Sequence, residues 1–398
     1  MANGRNPAEV RKIIASTRKS RILFTGYAHV HFLCFRPLYE RLITDPDVEL
    51  FVSGGLRTKT GSGYELDEQA MYRPLGVPSE RVLPVAEIQE RDFDLLFAAN
   101  TKLIMPRRAG ARIQIFHGVS FRNRAVRREN MGCDFYFVTG PYMRRRFDEA
   151  GLLTEDDRRA IPVGFMKTDR LLNGELSRSE LLRHHGFDGN RPILLYAPTG
   201  QFNNSLETMG EELIGHLTRS GRYDLLIKPH DHPKNREIDW FDRLSRFEDE
   251  HCRTVRDLDV VPLLYLADLL ITDASSVSSE YSLRDRPMIF LDVPELIERS
   301  RLKEDSMLDL DTWGRRGGSV VKRPQDITAA VQVGLRQPAL HEEVRREMAQ
   351  DLFYNPGRAT DAALSWLKGH LFINAPSGHD GGVLDGPCDR TVSATTEG

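Results

Sequence analysis

A polar cluster of Thr272, Asp273, Ser275 and Ser276 directly follows the apolar run Leu269–Ile271. The run predicts a buried strand, and the residues after the cluster are compatible with a helix. The first turn of a helix carries unpartnered N–H groups and partial positive charge, so hydroxyl groups there form a natural phosphate site. An ordinary helix cap explains the same residues. Glu280, about one turn further on, is a candidate for ribose binding or a solvated helix charge.

Two other apolar runs end in histidines. Ile113–Phe116 leads into His117, and Gly118 after it permits a tight turn. The histidine is placed to face a cleft, although a turn histidine bonded to a backbone carbonyl fits equally well. Leu225–Ile227 leads into Lys228 and His230, where lysine supplies a charge for phosphate and imidazole can donate a proton.

Small residues close a fourth apolar run. Ile193–Tyr196 is followed by Thr199 and Gly200, which let a ligand approach the backbone, although a plain strand-to-helix turn fits equally well. A metal site is a weaker interpretation, since His230 and His232 stand two residues apart with only Asp231 between them.

Short apolar runs alternate with amphipathic segments along the chain, and this alternation is typical of parallel α/β sheets covered on both faces. The predicted strands are Ile22–Thr25, Val48–Val52, Leu95–Ala98, Arg112–Phe116, Phe135–Val138, Ile193–Tyr196, Leu225–Ile227, Leu269–Ile271 and Met288–Leu291. Predicted helices include Phe32–Ile43, Pro141–Ala150, Leu206–Thr218 and Val260–Leu266. We therefore expect two doubly wound, Rossmann-like domains that face a central cleft, with the strand ends bearing the chemistry at that cleft.

The same pattern predicts the organisation of the chain. We expect a basic arm at 1–20, an N-terminal Rossmann-like domain at 21–171, a linker at 172–191 and a C-terminal Rossmann-like domain at 192–336. Terminal helices at 337–373 should pack across the domain junction, and 374–398 should be disordered because it has little to bury.

Composition excludes several classes of protein. The net charge of −3 argues against a nucleic-acid binder, and no apolar run approaches the roughly 20 residues that span a bilayer. Four cysteines lie far apart without a C-x-x-C pair, which favours reduced thiols in a cytoplasmic protein over a disulfide framework or a zinc site.

The order of the motifs carries a family resemblance. Ala-Pro-Thr after a strand, Lys228-Pro-His230, the run Ala-Asp-x-x-Ile-Thr-Asp-x-Ser-Ser-Val-x-x-Glu-Tyr at 267–281 and Arg-Pro-x-Ile-Phe at 286–290 occur in sequence. Together they resemble the CDP-glycerol glycerophosphotransferases, which build teichoic-acid-type polymers on a GT-B architecture. Further similar segments are Phe116–Gly118, Val163–Asp169, Gly317–Val321 and Asn355–Thr360.

The resemblance implies an enzyme that moves a polyol phosphate, with glycerol phosphate expected, from a CDP-activated donor to an acceptor hydroxyl and releases CMP. It implies His117 as the base, His230 as the phosphate ligand or acid, and Ser275 and Ser276 as diphosphate ligands. Lys228 and Thr199 are expected at the donor phosphates. The nucleotide side is expected to hold Asp273, Glu280 and Gly200, and the acceptor side Gly118 and Arg122. The resemblance requires neither a metal nor another cofactor.

The acceptor segment departs from the family pattern, since Val119 to Arg124 replaces the usual Thr-Pro-Leu-Lys type run. We expect a lipid-linked or saccharide acceptor in cell-wall or capsule synthesis. A cytoplasmic protein would meet a lipid-linked acceptor at the inner face of the plasma membrane. The alternatives are a GT-B glycosyltransferase or epimerase that uses a nucleotide-sugar, and a catalytically silent binding subunit of a polymer-synthesis complex.

Overall fold

A computed structural model describes residues 19–60, 63–99, 102–119, 121–231, 233–303 and 306–371. The predicted tail at 374–398 lies outside the described residues, as do His232 and the first 18 residues of the predicted basic arm.

The N-terminal lobe is built on a parallel sheet. Seven strands of the described residues pair in the order β5-β2-β1-β6-β7-β8-β9. β1 is central, with Phe24 in register between Val52 and Phe97, and its apolar residues are buried on both faces. The strands are β1 (Ser20–Gly26), β2 (Val48–Gly54), an antiparallel hairpin of β3 (Leu56–Thr60) and β4 (Gly63–Asp67), β5 (Val82–Leu83), β6 (Asp92–Ala98), β7 (Arg108–Gln114), β8 (Phe135–Phe137) and β9 (Ala160–Ile161). The helices are α1 (His29–Leu42), α2 (Glu68–Tyr72), α3 (Val85–Ile88) and α4 (Pro141–Glu149).

The C-terminal lobe repeats this architecture. Within the described residues, six strands pair in parallel in the order β12-β11-β10-β13-β14-β15. They are β10 (Ile193–Tyr196), β11 (Asp224–Ile227), β12 (Cys252–Thr254), β13 (Leu269–Thr272), β14 (Met288–Leu291) and β15 (Ser319–Val321). The helices are α5 (Arg178–His185), α6 (Glu211–Arg219), α7 (Trp240–Leu244), α8 (Val261–Leu266), α9 (Val277–Ser282), α10 (Pro294–Arg301) and α11 (Ile327–Arg336).

The last two helices, α12 (Glu342–Leu352) and α13 (Ala359–Leu371), return the chain to the N-terminal lobe. On α12, the buried Arg345 donates to the carboxylate of Asp285 in the C-terminal lobe at 3.0 Å. Asp351, at the other end of α12, accepts from Arg145 in α4 at 2.7 and 2.6 Å. α12 therefore contacts both lobes, and α13 packs against α1.

The structure confirms the predicted fold class of two parallel α/β lobes. Ile193–Tyr196 and Met288–Leu291 have the predicted bounds, whereas β7 ends at Gln114, two residues before the predicted end. Phe116 has a φ of 56°, which is incompatible with a strand. The β3–β4 hairpin was not predicted. The predicted linker at 172–191 contains α5, whose Arg178 donates to the Leu266 carbonyl of α8, so the domain division stays a prediction.

Three of the four cysteines lie within the described residues, and all three are buried. Cys34, Cys133 and Cys252 are free, and burial raises the pKa of each thiol to about 12. They are therefore neutral and unreactive at physiological pH. No helix in the described part of the chain combines the length and the apolar character needed to cross a membrane.

Two of the motifs in the family resemblance meet in the fold. Asp169, which is buried, accepts from the backbone N–H groups of Ala359 and Thr360 at 3.0 and 2.7 Å and so caps α13. Asn355, before the helix, donates to the carbonyls of Pro162 and Val163 at 3.0 Å. These contacts fasten the closing segment to the end of the N-terminal lobe.

We expect Asp169→Ala to lower the free energy of unfolding by about 1–2 kcal/mol, because the substitution leaves two buried N–H groups of α13 without an acceptor. Urea denaturation measures the effect. Asp156→Ala, in an exposed loop, is the matched control. Equal stability of the two variants would contradict the capping role.

Candidate active site

Four predicted site segments lie at carboxyl ends of strands. In the C-terminal lobe, the segments after β10, β11 and β13 are neighbours because β10 pairs with both other strands. In the N-terminal lobe, His117 and Gly118 follow β7. The two sets of strand ends meet at the cleft between the lobes, as expected for ligand sites in open α/β sheets.

Asp273 ties the loops of the C-terminal lobe together. Its side chain is fully buried, and one oxygen accepts from the N–H groups of Thr199 and Ala274 at 2.8 and 2.6 Å. The other oxygen accepts from the N–H and hydroxyl groups of Ser205 at 2.9 and 2.8 Å. The Asp273 carboxylate therefore holds the loop that carries Thr199. In this structure the buried side chain is not accessible to a nucleotide.

Gly200 is the contact between this loop and His230. A methyl group on Gly200 would lie 2.7 Å from Cγ of the His230 ring, closer than any side chain tolerates. Glycine is thus required for the imidazole to lie against the loop backbone, a different role from the predicted approach of a ligand. His230 itself is an exposed residue.

Ser275 and Ser276 lie at the start of α9, as predicted. The N–H groups of both residues have no acceptor among the residues that the structure describes. The Ser275 hydroxyl accepts weakly from Val277 N–H at 3.5 Å, and Ser276 is partly exposed. Because α9 has only six residues, its macrodipole is small. Any anion here would be held by these local N–H and hydroxyl groups.

The geometry of His117 fixes its tautomer. Nδ1 lies 2.6 Å from the carbonyl oxygen of Ala99, which can only accept, so Nδ1 carries the proton. The lone pair of the neutral ring is therefore on Nε2. The ring surface is open to the cleft, but protein surrounds it on several sides. This desolvation lowers the pKa of His117 below its ordinary value of 6.5, and the charges of Arg124 and Lys167 act in the same direction.

His31 supports His117 and was not predicted as a site residue. Its buried ring lies edge-on to the His117 ring, with 5.1 Å between centroids. Nδ1 of His31 accepts from the N–H group of Tyr27 at 3.1 Å, which fixes the ring. The sequence contains a pattern that could have identified His31 as a site residue, since His29 and His31 follow the first strand just as His117 follows β7.

The two lobes approach each other at Gly118 and Ser276. A methyl group on Gly118, whose φ is 135°, would lie 3.7 Å from the hydroxyl oxygen of Ser276. His117 is thus next to the start of α9, although it belongs to the other lobe. The structure brings together the predicted base and the predicted diphosphate ligands.

Glu280 and Lys167 form a buried ion pair between the lobes. Lys167 Nζ donates to both carboxylate oxygens at 3.0 and 2.8 Å, and both side chains are almost completely buried. Burial alone would lower the pKa of Lys167, but the Glu280 carboxylate, together with Cys34 and Asp259, raises this pKa overall. The carboxylate is therefore committed to Lys167, and the predicted contact with a ribose is not supported by this geometry.

The predicted donor ligand Lys228 is also paired. Its buried ammonium group donates to the carboxylate of Asp231 and to the Pro229 carbonyl. Arg122, predicted on the acceptor side, has a buried Nε without a hydrogen-bond partner in the described residues. Its pKa is lowered to about 10 by burial and by Arg124, while Asp273 opposes this shift. Of these two cations, Arg122 is the one with capacity to bind an anion.

The histidines of the cleft do not form a metal cluster within the described residues. Within the described residues, a different group has ligand atoms close enough for a metal ion. It consists of His184 and His185, at the end of α5, and Asp257. A metal that uses both His230 and His232 is not tested, because His232 lies outside the described residues.

Two facing Rossmann-like lobes, with a C-terminal helix that returns to the first lobe, define the GT-B class of transferases and epimerases. Residues 98–362, about two thirds of the chain, match the family described as CDP-Glycerol:Poly(glycerophosphate) glycerophosphotransferase. The chain belongs to this family. It is 31% identical over 133 residues to the teichoic acid glycerol-phosphate primase of Bacillus spizizenii (strain ATCC 23059 / NRRL B-14472 / W23), and this match covers 33% of each protein. The curated relatives are thus matched over less than half of their length.

Solved structures agree with the fold. The wall teichoic acid polymerase TagF superposes with a TM-score of 0.62 at 16% identity over 89% of this chain and 89% of that one. A TagF variant soaked with CDPG superposes with a TM-score of 0.59 at 17% identity, over 92% and 94% of the two chains. A putative UDP-N-acetylglucosamine 2-epimerase from Listeria monocytogenes gives 0.55 at 14% identity, over 90% and 99%.

We expect Glu280→Gln to lower the free energy of unfolding by about 3 kcal/mol, because it leaves the buried ammonium group of Lys167 without its counter-charge. The double variant Lys167→Met/Glu280→Leu should be more stable than this single variant. Urea denaturation measures both, and titration with CDP-glycerol measures donor affinity. A loss of donor affinity without a loss of stability would restore the ribose role of Glu280.

Proposed function

We propose that this protein transfers glycerol phosphate from CDP-glycerol to an acceptor hydroxyl and releases CMP, in the synthesis of a cell-wall or capsular polymer. Membership of the glycerophosphotransferase family supports the reaction class. The observation that carries the mechanism is the position of His117, whose Nε2 is free to accept a proton while Gly118 lies against Ser276 of the opposite lobe.

The donor lies in the C-terminal lobe in this proposal. Its diphosphate accepts from the free N–H groups and hydroxyls of Ser275 and Ser276, in the loop fixed by Asp273. His230, held against Gly200, contacts the same diphosphate. The loops are set by buried contacts before the donor arrives, so binding requires little reorganisation of the protein.

The acceptor enters from the N-terminal lobe. Its hydroxyl oxygen attacks the phosphorus that bears the glycerol, and His117 Nε2 takes the hydroxyl proton. A new phosphorus–oxygen bond forms as the bond from that phosphorus to the bridging oxygen breaks, and CMP leaves with the bridging oxygen. His230 stabilises or protonates the departing phosphate. The two-lobe cleft supplies the alignment that in-line displacement needs.

The nucleotide-sugar epimerases share the fold, and the superposition with one of them shows that architecture alone does not select the reaction. The run from Lys228 to Tyr281 and the family match favour the phosphotransferase. Donor preference separates the alternatives, since the phosphotransferase releases CMP from CDP-glycerol and a sugar-using enzyme acts on UDP- or CDP-sugars. We propose a cytoplasmic location, with a lipid-linked acceptor at the inner membrane face.

We expect His117→Ala to lower kcat about 10²- to 10⁴-fold, because the acceptor hydroxyl loses its base. Affinity for CDP-glycerol and thermal stability should change little. CMP release measures turnover, and His216→Ala on α6 is the control. Turnover within tenfold of wild type would rule out His117 as the base, whereas wild-type protein inactive with every activated donor would favour the silent binding subunit.

The pH profile should report His117. Desolvation lowers its pKa, so the neutral, basic form persists to lower pH than in an ordinary histidine. We expect the acid limb of kcat/KM to have its midpoint below 6.5 and activity to be retained above it, as this ratio reports the free enzyme. Initial rates from pH 5 to 8 at low donor and acceptor concentration test this. An acid limb centred above 6.5 would contradict the assignment.

A further inference from the structure

A basic cleft next to the candidate site joins the two lobes. Its lining includes Arg122, Arg124 and Arg127 from the segment after β7. Ser300, Lys303 and Ser306, at and after the end of α10 in the C-terminal lobe, face these arginines. The described residues that line the cleft include four cations and no carboxylate. Cations gathered in this way attract anions.

The electrostatics of these cations agree with the geometry. Desolvation lowers the pKa of Lys303, and the charges of Arg124, Arg122 and Arg127 lower it further. Within the described part of the chain, none of these four side chains forms an ion pair with a carboxylate. Nε of Arg122 is buried there without a partner.

The segment that carries the arginines is fixed before any ligand binds. Phe121 is buried against Ala274 and Leu296 of the other lobe, and its carbonyl accepts from Asp309 N–H at 2.7 Å. Asn123, with a φ of 46°, donates to the Tyr142 hydroxyl and the Met307 carbonyl at 2.7 and 3.0 Å. Buried Phe121 and Asn123 alternate with Arg122 and Arg124, so the arginines are directed into the cleft.

The cleft also borders the reacting groups. The charge of Arg124 acts on His117, and the charge of Asp273 acts on Arg122, so the cluster lies within electrostatic reach of both the base and the donor loop. The seat proposed for the donor diphosphate is formed by Ser275 and Ser276. The cleft is therefore available to a second anion on the side from which the acceptor enters.

We propose that Arg122, Arg124, Arg127 and Lys303 form a second anion site. This site binds a phosphate group of the acceptor close to the hydroxyl group that attacks the donor. This inference rests on the proposed function and assigns the acceptor phosphate to a site that the segment after β7 forms with the end of α10. Arginine binds phosphate with paired hydrogen bonds, and the lysine adds a point charge. A polyol phosphate and a lipid diphosphate share this chemistry.

Calorimetric titration of the full chain with glycerol 3-phosphate, with the donor site saturated by CDP, tests the inference. The variant Arg124→Gln/Lys303→Gln should bind glycerol 3-phosphate at least tenfold more weakly and CDP as tightly as wild type. Arg128→Gln/Arg299→Gln, which removes two exposed charges from the same two regions outside the cleft, is the matched control. Circular dichroism melting confirms that each variant is folded.

A parallel titration with farnesyl diphosphate identifies the source of the phosphate. Tighter binding of either ligand, lost in the cleft variant, supports the site and names the polyol or the lipid as its source. The site is refuted if neither ligand binds, if CDP displaces the phosphate, or if the cleft variant binds as tightly as wild type. Failure of the proposed function is separate, since it would appear as absence of CDP-glycerol binding and turnover.

Discussion

The buried ion pair between Lys167 and Glu280 sets the relation between the lobes on which the site depends. Glu280 lies four residues after Ser276 on α9, and Lys167 belongs to the end of the N-terminal lobe. Anchoring the body of this helix to the opposite lobe places its first residues against Gly118. We infer that the pair favours this arrangement of the lobes over others, because removing either partner leaves a buried charge uncompensated.

A second buried carboxylate organises the donor side. Asp273 holds Thr199 and Ser205 to the end of β13, and the loop so fixed carries Gly200, against which His230 packs. The exposed imidazole is thus positioned through two intermediates by a fully buried carboxylate. Asp273 and Glu280, both predicted on the nucleotide side, are committed to protein partners in this structure.

The sequence was sufficient for the fold class and for much of the cleft, but not for the roles of its acids. Runs such as Ile193–Tyr196 are buried on both faces and so were recognisable, and a histidine before glycine at a strand end was a good indication of a cleft residue. The partner of Glu280 lies 113 residues away, so no local pattern could reveal it. The basic cleft was missed for the same reason, since Arg124 and Lys303 meet only in the folded chain.

The central claim is that donor and base meet where Gly118 approaches Ser276. A crystal of the wild-type protein soaked briefly with CDP-glycerol tests it most directly. We predict that the diphosphate lies on the N–H groups of Ser275 and Ser276, with His230 in hydrogen-bond contact and His117 Nε2 facing the phosphorus that bears the glycerol. A diphosphate seated elsewhere, with His117 directed away from it, would contradict the account.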